Sequence, residues 1–378
     1  MSTRLDPTNG ASRAVVPVPG SASPEADDSD HHLGEGASQA RPQHVTWEMT
    51  RSCEWKSLRP RTKGRAARER QPFSTAEAFH LVDEVASLHV PLLTLTGGDP
   101  LLRPDLFPIL EFAVKRSVRT SLTLLPTLRV DAEAIADLKA TGAVRAGFWM
   151  HGSTASLDDG CWKIPGCHRR TLDIIGACHE VQLPVQVNTM LTRRNLHDLE
   201  NMVDLLTRLD VGLWNVFFLV PASREECGEL MTAEQHEDVF AKLYDATERV
   251  HFRIRTTEGQ HYQRYLLQQR VRATHGRMSD ANTTVPDGMN DSRRSIFVDH
   301  HGDVYPSRFL PISAGSIASQ SLAEIYRGPL LASLRDDSRL KGNCGRCPMQ
   351  DVCGGSRARA YAMTGDLFAA DPCCAYEP

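Results

Sequence analysis

From residue 44 onward, short apolar runs of strand length alternate with windows whose apolar residues recur at helical spacing. HVTWEMT (44–50) reads as a strand. STAEAFHLVDEVASL (74–88) reads as a helix capped by Ser74, with Glu77 three residues on to complete a capping box. PLLTLTGG (91–98) reads as a buried strand, and a helix is expected near 104–116. The alternation continues with TSLTLLP (120–126) and a helix near 131–141, then RAGFWMHG (145–152) and a helix near 168–181. PVQVNTML (184–191) precedes a helix near 196–208, and LWNVFFLVP (213–221) one near 232–248.

About six strand–helix units in succession predict an α/β fold with a parallel sheet and right-handed crossovers. The strands read as nearly continuous apolar runs, as burial on both faces requires. Periodicity fits either a doubly wound sheet or an open, partial barrel. In both, ligands sit beyond the carboxyl ends of the strands. FRIRTTEGQHYQRYLL (252–267) follows, then a polar linker over 273–294. A hairpin, SIFVDHHGDVYPS (295–307), opens a small C-terminal region (295–378) with one helix near 321–335. Residues 1–42, rich in Pro, Gly, Ser and Asp, have the composition of a disordered tail. Asp30, His31 and His32 lie in that tail and read as solvated groups, not as a metal site.

Composition narrows the function classes. A 41% hydrophobic and 24% charged chain of 378 residues is ordinary for a globular protein. Its net charge of −4 argues against a dedicated nucleic-acid binder. No apolar run approaches the ~20 residues of a spanning helix, so no membrane partner is expected. The first 20 residues lack a secretory apolar core, which predicts a cytoplasmic protein. In a reducing compartment, clustered cysteines are more often metal ligands than disulfides. Five of the ten cysteines crowd the end of the chain, in KGNCGRCPMQDVCGGSRARAYAMTGDLFAADPCCAYEP (341–378). The C-x2-C-x5-C pattern followed by a cysteine pair suits four-thiolate binding of zinc or of an iron–sulfur cubane, and spacing alone does not separate the two.

These residues resemble the SPASM-type branch of the radical S-adenosylmethionine (SAM) superfamily, from residue 44 nearly to the end. TWEMTRSC (46–53) stands where that family places its first cluster cysteine. TGGDPLLRPD (96–105) is similar to its glycine-rich SAM motif, and WMHGST and VQVNT fall at the ends of strands four and five. CGGSRARAYAMTGD (353–366) is the most specific piece, similar to tetrapyrrole- and peptide-modifying members. The resemblance favours a partial (β/α)6 barrel over 43–272 with a cysteine-rich SPASM-like extension over 295–378.

It implies a SAM pocket at Gly97, Gly98, Asp99, Ser153 and Asn188, the glycine carbonyls taking the methionyl ammonium. His151, Glu258 and His261 are expected at the same mouth, as acid–base or anion-binding groups. One auxiliary [4Fe–4S] cluster is implied on Cys344, Cys347, Cys353 and Cys374, with Cys373 as an adjacent extra. A second cluster would need cysteines at Ser307 and Ser356 and one before the hairpin, and residues 280–300 hold none.

The family's front motif is C-x3-C-x2-C, and here those positions are Cys53, Ser57 and Pro60. A serine hydroxyl is a poor iron–sulfur ligand and proline offers none. One thiolate does not hold a cubane, so Cys53 reads as a vestige or an apolar filler. Three readings stay open: a protein with the scaffold and tail cluster but no radical chemistry, a protein that uses SAM otherwise, or a short compensated frameshift over 54–70. The basic residues Arg59, Arg61, Lys63, Arg65, Arg68 and Arg70 suit an anion at the mouth or a solvated loop. The functions this leaves are an iron–sulfur, SAM-linked enzyme acting on a small molecule (a tetrapyrrole) or a peptide, a non-catalytic binding or electron-transfer partner (a protein redox partner) of a true radical SAM enzyme, and a zinc-stabilised binding module.

Overall fold

The computed structural model describes residues 41–53, 73–273 and 293–378. The expected tail up to residue 40, the positions Ser57 and Pro60, the basic run and most of the 273–294 linker lie outside those residues. Seven strands run parallel in chain order: β1 (His44–Thr50), β2 (Leu92–Gly97), β3 (Thr120–Leu124), β4 (Arg145–Trp149), β5 (Val185–Leu191), β6 (Leu213–Phe218) and β7 (Arg253–Thr257). The expected hairpin is β8 (Ser295–Val298) and β9 (Asp303–Tyr305), followed by a short β10 (Gly315–Ser316). The sheet order is β10-β9-β8-β1-β2-β3-β4-β5-β6-β7, with β8 parallel to β1. The hairpin thus continues the main sheet. A seventh parallel strand follows the six that the pattern announces.

Helices close the outer face. Ser74 and Glu77 form the expected capping box on Thr75–Ser87, and Thr232 with Gln235 does the same for Ala233–Thr247. The helix expected near 168–181 runs Cys167–Glu180, with a further short helix, Ala155–Trp162, before it. The single helix expected near 321–335 is two, Leu322–Arg327 and Pro329–Leu334, broken where Gly328 precedes Pro329.

The strands are not apolar on both faces. One alternate set, Val45, Trp47, Met49, Leu93, Leu95, Leu122, Leu124, Phe148, Val187, Trp214 and Val216, packs against the helices in the core. The other set is largely polar: Thr46, Thr94, Thr96, Thr123, Gln186, Asn188, Asn215 and Thr257 all line one cavity. A single cavity that touches β1 to β8 on the same face requires a sheet curved around it. This is the partial barrel, with a lumen into which these polar side chains point in place of the second apolar layer that the strand runs suggest.

His236 reports on the packing under β6. Its ring stacks on Phe218, 5.3 Å between centroids, and Nδ1 donates to the Thr232 carbonyl at 2.8 Å. Burial, with Arg359 and His261 nearby, pushes its pKa down to about 3. The folded chain keeps this imidazole neutral, whereas the unfolded chain protonates it below about pH 6.5. Its contribution to stability is complete above that pH and is lost as pH falls toward 3. Denaturant midpoints measured from pH 7.5 to 4 are expected to fall, and His236→Phe to flatten the upper part of that slope.

Candidate functional site: the lumen and the cysteine tail

At the carboxyl end of β2 the glycines meet a steric demand. Gly97 has φ +144°, and a Cβ there would lie 2.3 Å from the Thr50 carbonyl oxygen. A Cβ on Gly98 would lie 2.1 Å from that of Ser52. The Gly98 and Asp99 N–H groups donate to the Thr50 and Ser52 carbonyls, each at 2.8 Å. The glycines therefore let the β2 end zip onto the segment leading to Cys53. Gly98→Ala is expected to lower stability by about 2 kcal/mol or more through overpacking against backbone, read as a fall in thermal midpoint.

The other expected mouth residues divide. Asn188 lines the lumen, its Oδ1 accepting from Gln186 Nε2 at 2.7 Å. Asp99 is fully buried; Oδ1 caps Leu101 N–H at 3.1 Å and Oδ2 accepts from Thr127 Oγ1 at 2.7 Å. Ser153 turns to Asp198, donating from its N–H at 2.6 Å and from Oγ at 2.8 Å. His151 Nδ1 accepts from the Met190 N–H at 3.2 Å, and its ring lies between Trp149 and Trp162. Glu258 and His261 do not line the lumen. Both are buried and face the tail, because the turn after β7 directs them under the C-terminal region: Glu258 holds Ser307 and Ser356, and His261 Nε2 lies 3.0 Å from Asp371 Oδ2.

The lumen is a cavity open to solvent at its mouth, walled by side chains from β1 to β8 and from the turn after β9. Arg145, Arg255 and Arg308 line it together with Trp149, Phe217 and Phe309, and no Asp or Glu is among its described lining residues. At its amino-terminal end His44 Nε2 meets Thr94 Oγ1 at 2.8 Å. Burial first, then Arg255 and Arg145, push the His44 pKa down to about 3, so it stands neutral beside two cations. Glu48, at the β1 end, is pushed down to about 2 against the effect of its burial by His300, Arg308 and Arg51. The arginines went unnoticed in the sequence because they stand far apart in it, Arg145 on β4, Arg255 on β7 and Arg308 in the turn after β9.

In the tail, Cys344 lies in the short helix Gly342–Arg346 and Cys347 caps it. Cys344 Sγ is 3.5 Å from the Asp371 N–H nitrogen and 3.8 Å from Arg357 Nη2, and Cys353 Sγ accepts from Gly355 N–H at 3.4 Å. Burial pushes the Cys353 thiol up to about 12 and the Cys374 thiol up to about 11. Charge on Cys344 or Cys374 further disfavours ionisation of Cys353, and charge on Cys344 that of Cys374, which places the three thiols near one another. Cys373 turns away, its Sγ 3.8 Å from the Met231 carbonyl. As they stand, no three His, Cys, Asp or Glu side chains among the described residues are gathered tightly enough to grip a metal ion.

Residues 53–206 match the family model described as Radical SAM superfamily, and residues 291–348 the one described as Iron-sulfur cluster-binding domain. An AdoMet-dependent heme synthase of Methanosarcina barkeri is 33% identical over 345 residues, covering 89% of this chain and 97% of that protein. The chain belongs to the radical SAM superfamily. A PqqA peptide cyclase of Rhodopseudomonas palustris is 27% identical, over 81% of this chain and 79% of that one. The crystal structure of Streptococcus suis SuiB bound to S-adenosylmethionine superposes with a TM-score of 0.65 at 13% identity, covering 89% of this chain and 76% of that one, a likeness of fold. Among the described residues no helix is long and apolar enough to cross a membrane.

The two iron–sulfur positions of this radical SAM protein differ in fitness. The tail fits a cluster by its donor set: Cys344, Cys353 and Cys374 sense one another, Cys347 is one turn from Cys344, and a Cβ on Gly355 would come 3.3 Å from Cys344 Sγ. The front position does not fit. Cys53 packs beside Trp149 and Ile164 on a small apolar cluster of Leu125, Trp162 and Cys167. The next two motif positions, outside the described residues, are serine and proline.

Proposed function

We propose that this chain binds SAM at the β2 mouth and holds a tetrapyrrole bearing carboxylate side chains in its lumen, beside a single auxiliary [4Fe–4S] cluster on Cys344, Cys347, Cys353 and Cys374. The observation that carries the reading is the lumen wall: three arginines and three aromatic residues, with no Asp or Glu among the described lining residues. Guanidinium forks match carboxylates in shape and charge. Trp149 and Phe217, tilted with 4.7 Å between centroids, and Phe309 edge-on to Phe217 supply apolar ring contacts for a macrocycle. The heme synthase relative, at the higher identity, supports a tetrapyrrole over a peptide. For SAM, the Gly97 and Gly98 backbone and the Asn188 side chain are the groups this reading uses; Asp99 and Ser153 keep the surrounding turns in place. When bound, the tail cluster supplies one-electron relay.

Reductive cleavage of SAM is not part of this reading, because Cys53 stands without two further thiolates. The same observation favours a second reading, in which lumen and tail cluster serve as binding and electron-relay partner to another redox protein. Reduced, iron-loaded protein is expected to form no 5′-deoxyadenosine above a protein-free control. A tetracarboxylate porphyrin is expected to bind, with its fluorescence quenched. Arg145→Ala or Arg255→Ala is expected to weaken that binding ~10-fold or more, the scale of a charge-assisted hydrogen bond. Equal affinity for wild type and both variants sinks the tetrapyrrole assignment.

A further inference from the structure

Glu258 is fully buried and sits at φ +55°, a left-handed conformation that is costly for a residue with a side chain. Both of its carboxylate oxygens are taken by serine hydroxyls. Ser307 Oγ donates to Oε1 at 2.8 Å, and Ser356 Oγ donates to Oε2. Its backbone carbonyl accepts from Arg359 Nη1 at 2.9 Å. The partners come from separate parts of the chain: Glu258 follows β7, Ser307 follows β9, and Ser356 caps the helix Arg357–Thr364.

Each serine leads to a different place. Ser307 lines the lumen, and its Oγ accepts from the N–H of Phe309, a lumen ring, at 3.2 Å. The Ser356 N–H donates to Asp371 Oδ2 at 2.7 Å, and the Asp371 N–H nitrogen lies 3.5 Å from Cys344 Sγ. One carboxylate therefore touches both the wall of the lumen and the frame of the cysteine set. We propose that Glu258 is a positioning residue that couples the lumen to the tail's cysteine set, through Ser307 on one side and Ser356 on the other. The proposal rests on the reading that the lumen binds a polycarboxylate and the tail an iron–sulfur cluster.

The coupling has a simple physical origin. A carboxylate with no access to water cannot replace a lost hydroxyl with solvent, so removing one serine draws it toward the other. The remaining serine, and whatever that serine holds, moves with it. Two positions without mutual contact then respond to each other, as members of a shared buried network do.

The test is a crossed one on iron-loaded full-length protein. Ser356→Ala lies off the lumen, and it is expected to weaken tetracarboxylate porphyrin binding about fivefold. Ser307→Ala touches no cysteine, and it is expected to shift the midpoint potential and the reduced-state paramagnetic resonance lines of the tail cluster. Glu258→Gln is expected to do both, and Ser356→Thr, which keeps the hydroxyl, to restore wild-type porphyrin affinity. In the metal-free chain the thermal losses of the two serine variants are expected to be non-additive. Effects confined to each serine's own side, with additive thermal losses, overturn the proposal. Should wild type bind no porphyrin, the reading of the lumen fails, while the cluster potential of Ser307→Ala and the thermal cycle still decide the coupling. Should Glu258→Gln fail to fold, the two serine variants carry the same comparison.

Discussion

Anaerobic loading with iron and sulfide is expected to leave about four irons on each chain, and to leave almost none when Cys344, Cys347, Cys353 or Cys374 is replaced by alanine. Burial and the neighbouring thiols push the pKa of the buried Cys353 up to about 12 and of the half-buried Cys374 up to about 11, so both favour the protonated form. A cluster must displace those protons, so it forms only where several thiolates share the cost of burial. Two controls give the prediction its edge. Cys53→Ala is expected to leave the iron count unchanged, because that residue packs on the apolar cluster of Leu125, Trp162 and Cys167. Cys373→Ala is expected to do the same, because its sulfur faces the Met231 carbonyl. About eight irons in wild type would mean that the front position is loaded, and one zinc with no iron would assign the tail to a different metal.

Arg359→Ala is expected to cost about 3–5 kcal/mol of stability, the scale for removing one partner of a buried ion pair. Arg359 and Asp371 are both 0% exposed in their side chains. The guanidinium donates from Nε to Oδ1 at 2.9 Å and from Nη2 to Oδ2 at 2.7 Å, while Nη1 holds the Glu258 carbonyl. Burial opposes the charge on Asp371, yet Arg359 and His261 keep its carboxyl well below the usual carboxylate range. Without Arg359 that charge has no neutralising cation of its own, and the strained residue 258 loses its backbone anchor. Equilibrium unfolding in urea reads the loss directly. A change below ~1 kcal/mol would show that His261 and the Ser356 and Cys373 N–H groups suffice to hold Asp371.

Local signals were the legible part of this chain. The capping residue Ser74 stands within one turn of what it caps, and the C-x2-C step is closed by a single short helix. Two kinds of feature were hidden. The lumen wall was one, since TLT or VQVN reads as a mostly apolar run until the curvature assigns Thr94, Gln186 and Asn188 to the inside. Contacts between distant segments were the other: Glu258 meets Ser307 across 49 residues and Ser356 across 98, and no periodicity marks such a meeting. The same limit explains Asp99, whose place in a family-like motif suggested ligand binding while its carboxylate serves the turn.

The stems on either side of residues 54–72 are each held by described residues elsewhere in the barrel. Thr50 and Ser52 are held by the β2 end; Phe73 is held by the His300 carbonyl at 3.0 Å and by Arg103 Nη2 at 3.0 Å, and Arg103 also grips the Met49 carbonyl. Such a socket accepts interchangeable inserts: a nineteen-residue graft ending on the same two posts has its entry and exit points already set. Installing thiols there is a question of cassette chemistry, separate from whether the barrel folds.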